Sequence, residues 1–172
     1  LESLMNQFDL KLRRQPNPKS YVNVFSDDMF YSRRRDGHFD KAFHTKVNHG
    51  FEEGSAWTYQ WSVLHDFKGL IQLHDGDKDL SSCSPTLPCT QPIEGAVLNR
   101  LNTWFATPGI CGQMQDLTDC IGQYAQSNEP THHVIYLYTV LGYPEITCKY
   151  LKQAVKFYSE RPDGIPGNSD AG

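Results

Sequence analysis

The sequence predicts a mainly α-helical fold, built of helical hairpins joined by long, polar, aromatic-bearing loops. Apolar residues recur at helical spacing in five separate stretches, and proline or glycine punctuates most of their ends. No alternating apolar/polar stretch is long enough to demand a sheet.

Leu1, Leu4, Met5, Phe8 and Leu12 form the stripe of a first helix, which Pro16 and Pro18 end. The segment SYVNVFSDDMFYSRRRDGHF (20–39) reads as a loop with one short extended piece, stopped at Asp36-Gly37. A second helix is expected over 54–74, with Ala56, Tyr59, Val63, Phe67 and Leu70 on one face and Gly76 as its stop. Residues 75–95 are polar and rich in Ser and Pro, an excursion rather than an element. A third helix carries Val97, Leu98, Leu101, Trp104 and Phe105. The fourth begins at Pro130, a residue favoured in a first helical turn, and runs through Val134, Leu137, Tyr138 and Leu141 to Gly142. The fifth follows Pro144, turns Ile146, Leu151, Val155 and Tyr158 inward, and ends near Arg161-Pro162. Loops longer than about 12–15 residues are usually functional or unstructured. These hold His, Asn, Asp and Trp residues, which favours function.

At 172 residues the chain is long enough for one domain with a core. A hydrophobic fraction of 38% and a net charge of -4 describe a soluble globular class. No apolar run approaches the roughly 20 residues of a membrane span, and Leu1 opens directly on an amphipathic pattern with no signal peptide in view. Mild acidity argues against a nucleic-acid binder, and Arg33-Arg34-Arg35, followed at once by Asp36, reads as a solvated turn. Cys83 and Cys89 bracket one short loop, Cys111 and Cys120 another, and Cys148 is left over. Two short bridges and a free thiol would suit a secreted protein; five ordinary buried thiols are the alternative. With no CxxC pair, a thiolate zinc site is not expected.

Three stretches could carry chemistry. FEEGSAWTYQW (51–61) puts two glutamates, a glycine and three further aromatics at a helix mouth. Glu52 and Glu53 can be first-turn acids favoured by the helix dipole, with Trp57 and Trp61 in the core. Alternatively, one of them is a carboxylic acid beside an aromatic wall, a setting that keeps a carboxyl able to donate a proton at neutral pH. SNEPTHH (127–133) can be a plain helix start. Adjacent His132 and His133 do not chelate one ion easily, whereas Asn128, Glu129 and backbone carbonyls offer oxygens suited to a hard cation such as Ca²⁺. The closing ERPDGIPGNSDAG cannot be helix interior. It is either a disordered tail or a tight loop that presents Asp170, with Gly167 and Gly172 permitting sharp turns.

Taken in order, EGSAWTYQW, HDFKGLI, SNEPTHHVIYLY and PDGIPGNSDAG resemble the consecutive signature segments of glycoside hydrolase family 92. That family comprises calcium-dependent, exo-acting α-mannosidases that invert the anomeric centre. Its pattern has an acid–Gly–Asn–Ala–Trp run, an Asn-Glu-Pro-Ser-His-His run, and a Pro-Asp-Gly…Gly-Asn-acidic-Asp loop. The resemblance runs from near Tyr21 to the last residue, about 150 of the 172 positions, with Ser55 in place of the usual Asn and Thr131 in place of the usual Ser.

The resemblance implies that Glu53 is the general acid and Asp170 the general base. Asn168 would position the water or a hydroxyl, and Trp57, His132 and His133 would line the sugar subsite. Asn128 and Glu129 fall in the segment near the calcium. It also implies an (α/α)6 toroid preceded by a β-sandwich domain, so that 1–172 is a partial domain, a segment of the barrel without the sandwich or the rest of the ring and not catalytically competent alone. The expected partner is an α-mannoside glycan, with no nucleic acid and no membrane span. Two rivals stay open, a non-catalytic carbohydrate-binding fragment and a toroidal glycosidase of other sugar specificity. The absence of a fixed repeat period counts against a helical-repeat scaffold.

Overall fold

The computed structural model describes residues 17–42, 45–84, 88–114, 117–162 and 164–166. The first expected helix, over 1–12, lies outside them. The loop expected at 20–39 begins with a 3-10 turn, Ser20–Val24, and then forms a hairpin, β1 (Phe25–Ser26) against β2 (Met29–Phe30). Asp27 and Asp28 make its turn with positive φ, which short polar residues tolerate better than most. A second hairpin, β3 (Cys120–Ile121) with β4 (Tyr124–Ala125), lies in the segment before SNEPTHH.

The helix expected over 54–74 is two helices, α1 (Ala56–Tyr59) and α2 (Phe67–Asp75). Side chains take the carbonyls that a continuous helix would use. Trp57 C=O accepts the Trp104 indole N–H at 2.8 Å and the Gln60 amide at 3.0 Å, and Trp61 C=O accepts from His133 Nε2 at 2.9 Å. Each helix start has its own side-chain cap. Ser55 and Thr58 form a capping box on α1, and Asp66 accepts the Gly69 N–H at 2.9 Å to start α2. The Tyr21 hydroxyl donates to Asp66 at 2.7 Å. That bond holds the Asp66 carboxyl below its ordinary range, while burial is the main reason the Tyr21 hydroxyl rises to about 12.

Helix α3 (Ala96–Ala106) forms where the sequence places it and packs beside α2. Its Gly95 offers no side-chain cap; Asp75, at the end of α2, accepts the N–H groups of Ala96 and Val97 instead. The stretch from Pro130 is not one helix. Short 3-10 turns at Glu129–Thr131 and Val134–Tyr136 lead into α4 (Leu137–Val140). Gly142 (φ +89°) then turns the chain into α5 (Pro144–Ala154), which packs against α4. Ile146 and Leu151 on α5 pack on the core as expected, but Val155 (67% exposed) and Tyr158 (48%) face outward. A 3-10 turn at Val155–Phe157 rotates the last residues away from the helical stripe.

The two helical hairpins, α2–α3 and α4–α5, share one core around Trp61, Leu101, Trp104, Phe105 and Tyr138. Phe105 stacks on Tyr150 with ring centres 4.1 Å apart. The 75–95 excursion is stitched to this core: Cys83 pairs with Cys89, Cys89 N–H donates to the Val140 carbonyl, and Ile93 N–H to that of Leu141. Cys111 pairs with Cys120, while Cys148 is free and exposed. No helix among the described residues is long and apolar enough to cross a membrane.

Candidate functional site

Glu53 sits on the loop entering α1, with φ +50°. A left-handed glutamate costs about 1–2 kcal/mol, and its neighbours hold it there. Asn48, itself at φ +59°, accepts the Glu53 N–H through Oδ1 at 2.6 Å. Asn128, buried at 7% exposure, donates from Nδ2 to the Glu53 carbonyl at 2.8 Å. That second bond brings the FEEGSAW and SNEPTHH segments together across 75 residues of chain. Gly54 is required by close approach, since a Cβ there would lie 2.8 Å from the Tyr59 ring and 3.0 Å from Thr58 Cγ2. Tyr59 stacks on Phe51 at 5.1 Å and donates its hydroxyl to the Glu52 carbonyl at 2.7 Å. Burial, then the negative charges of Glu53 and Glu52, raise the Tyr59 hydroxyl above its ordinary value.

The two histidines have different surroundings. Each uses Nε2 on a backbone carbonyl, His132 on Gln126 and His133 on Trp61, both at 2.9 Å. A carbonyl only accepts, so in both rings Nε2 carries the proton, and a neutral ring then has an accepting Nδ1. Burial lowers the pKa of His133, which ties the 3-10 segment to the core. His132 instead lines a pocket of about 260 Å³ with Tyr124, Gln126, Tyr136, Leu151 and Tyr158. Within it the Tyr124 hydroxyl donates to Gln126 Oε1 and Gln126 Nε2 donates to the Tyr158 hydroxyl. A larger cavity of about 360 Å³, bounded by Asp66, Ile71, Cys83 and Val140, contains none of the candidate site residues.

Trp57 is half-buried between two hydrophobic clusters, and its indole Nε1 is buried with no hydrogen-bond partner among the described residues. Trp61 is fully buried. Asn168 and Asp170 lie outside the described residues. Asn48, which holds the Glu53 N–H, stands outside every motif of the sequence. The only signal for it is the Asn-His-Gly turn pattern, which marks a turn and not a partner for Glu53.

For calcium, Asn128 spends its amide N–H on Glu53 and keeps Oδ1 as a ligating atom. Glu129 is half-exposed beside it. A calcium ion takes six to eight oxygens, and among the described residues no group of three or more His, Cys, Asp or Glu side chains could hold a metal. These residues do not by themselves fit the ion.

A search of curated proteins finds no significant match. Two solved structures of a family GH92 α-mannosidase from Bacteroides thetaiotaomicron are similar to this chain. The one in complex with mannoimidazole is 26% identical with a TM-score of 0.65, covering 87% of this chain and 19% of that one. The other is 25% identical with a TM-score of 0.62, covering 87% and 17%. This chain therefore spans less than a fifth of the length of either. The model of the glycosyl hydrolase family 92 catalytic domain matches residues 15–172, and the chain belongs to that family.

Proposed function

We propose that this chain is part of the catalytic domain of an exo-acting, inverting, calcium-dependent α-mannosidase. Its substrates would be α-mannosides such as α-1,2-linked mannose on N-glycans or mannans. Glu53 protonates the departing glycosidic oxygen, and Asp170, on the opposite face of the sugar, deprotonates the attacking water. An inverting pair needs roughly 6.5–9.5 Å between its carboxyls to admit that water. Trp57, His132, His133 and Asn168 would contact or position the sugar, with His132 Nδ1 free to accept from a hydroxyl. Calcium dependence belongs to the same proposal, with Asn128 and Glu129 near the ion and further ligands from residues beyond those described; no step is assigned to it. The helical hairpins would form part of an (α/α)6 toroid, completed with a β-sandwich domain elsewhere in the polypeptide, and the protein would act outside the cell.

One observation carries the proposal: in a family 92 chain, Glu53 is fixed in a left-handed conformation by side chains on both sides, one of them from the SNEPTHH segment. A surface first-turn acid has no need of such a clamp. The test is Glu53→Gln in the complete protein that carries this chain. Hydrolysis of an α-mannoside should fall by about 10²–10⁴-fold, the usual contribution of a general acid, with binding retained. Hydrolysis at the wild-type rate would remove Glu53 from the mechanism.

A further inference from the structure

The residue that holds the Glu53 N–H is itself anchored independently of Glu53. The Asn48 N–H donates to the Gly54 carbonyl at 2.9 Å while its Oδ1 accepts from Glu53, so Asn48 brackets the residue it holds. Behind Asn48, the Val47 N–H donates to Gln113 Oε1 at 3.0 Å, and Gln113 Nε2 donates to the carbonyls of Thr45 and Gly109. Gln113 belongs to the loop closed by Cys111–Cys120. Val47 packs with Ile110, Leu117 and Ala125 in a small core of its own.

We propose that Asn48 is the positioning residue of the general acid, fixing the direction in which the Glu53 carboxyl leaves its loop. This rests on the reading of Glu53 as that acid. A general acid must lie within about 2.6–3.2 Å of the oxygen it protonates. Rotation about a left-handed backbone swings the carboxyl through more than that tolerance, and glutamate has no intrinsic preference for this region. Asn48 touches no reacting atom; it acts through the backbone of residue 53.

The experiment uses the complete protein with three variants and two substrates, α-1,2-mannobiose and 2,4-dinitrophenyl α-mannoside. The aryl leaving group departs with little protonation and so depends weakly on the acid. Asn48→Gly keeps the positive φ accessible and removes the acceptor, together with the Nδ2 contact to Met114 Sδ at 3.4 Å. Its kcat on mannobiose should fall roughly 10- to 100-fold, as expected for a misplacement of about 1 Å, with KM nearly unchanged and at most a few-fold loss on the aryl mannoside. Asn48→Asp keeps the oxygen and should restore most of kcat. It should also move the alkaline limb of the pH profile upward, because a second negative charge disfavours loss of the acid's proton. Equal losses on both substrates, or an Asn48→Asp no better than Asn48→Gly, would reduce Asn48 to a structural role and overturn the inference. Glu53→Gln separates the two claims. If it loses mannobiose hydrolysis while Asn48→Gly retains it, only the positioning role fails; if Glu53→Gln itself retains hydrolysis, the acid assignment fails and the inference with it.

Discussion

Positive φ at Glu53 and Asn48, five residues apart, and the want of a Cβ at Gly54 are parts of one arrangement. The loop doubles back so that residue 53 is held by Asn48 from one side and Asn128 from the other, and the passage against Thr58 and Tyr59 is tight enough that a Cβ at residue 54 would displace their side chains. Away from this site, His74 carries a separate consequence. It lies between Phe25 and Trp61, both ring nitrogens are buried without a hydrogen-bond partner among the described residues, and burial lowers its pKa from 6.5 to about 4, with Arg100 adding to the effect against Asp28 and Asp75. The fold therefore favours the neutral ring. As pH falls from 6.5 towards 4 the unfolded chain takes up this proton first, so stability present above 6.5 is progressively lost. The expected loss is on the order of 2–3 kcal/mol. Thermal melts of wild type and His74→Phe at pH 7 and pH 4.5 check it: the variant should lose less stability on acidification, and parallel losses would show that His74 does not contribute.

Among the elements, α3 depends on a residue of α2. Gly95 supplies no cap, and the two N–H groups at the start of α3 are satisfied by the Asp75 carboxylate. Asp75→Ala should cost about 1–2 kcal/mol, the upper end for a helix cap, whereas Asp75→Asn should cost less; urea unfolding curves read both. Sequence made the existence of the helices legible better than their continuity. The periodicity of Val97, Leu101, Trp104 and Phe105 is undisturbed, and α3 forms there. The break between α1 and α2 depends on Trp104 and His133 reaching carbonyls of Trp57 and Trp61, contacts across 47 and 72 residues that no local pattern contains. The outward turn of Val155 and Tyr158 is local but comes from a switch to 3-10 geometry that shifts the stripe. The site was legible in the same uneven way. Glu53 and Asn128 stand in motifs, but the bond between them is tertiary, and Asn48 sits in a stretch that signals only a turn.

At the scale of the molecule, two helical hairpins and their shared aromatic core form a frame; the Cys83–Cys89 loop packs into that core, and the Cys111–Cys120 loop packs in the smaller cluster around Val47. The Cys83–Cys89 loop closes over α4, while the Cys111–Cys120 loop supports the strand of contacts that leads through Gln113 to Asn48 and Glu53. The frame thus presents a glutamate whose backbone is held from both sides, beside the segment expected near the metal. The direct test of the whole account follows the anomeric proton of the sugar released from α-1,2-mannobiose by NMR, using the complete protein with calcium and again with EDTA. The account predicts β-mannose as the first product, abolished by chelation. Early α-mannose would mean retention, which is incompatible with Glu53 and Asp170 as an acid–base pair acting through water.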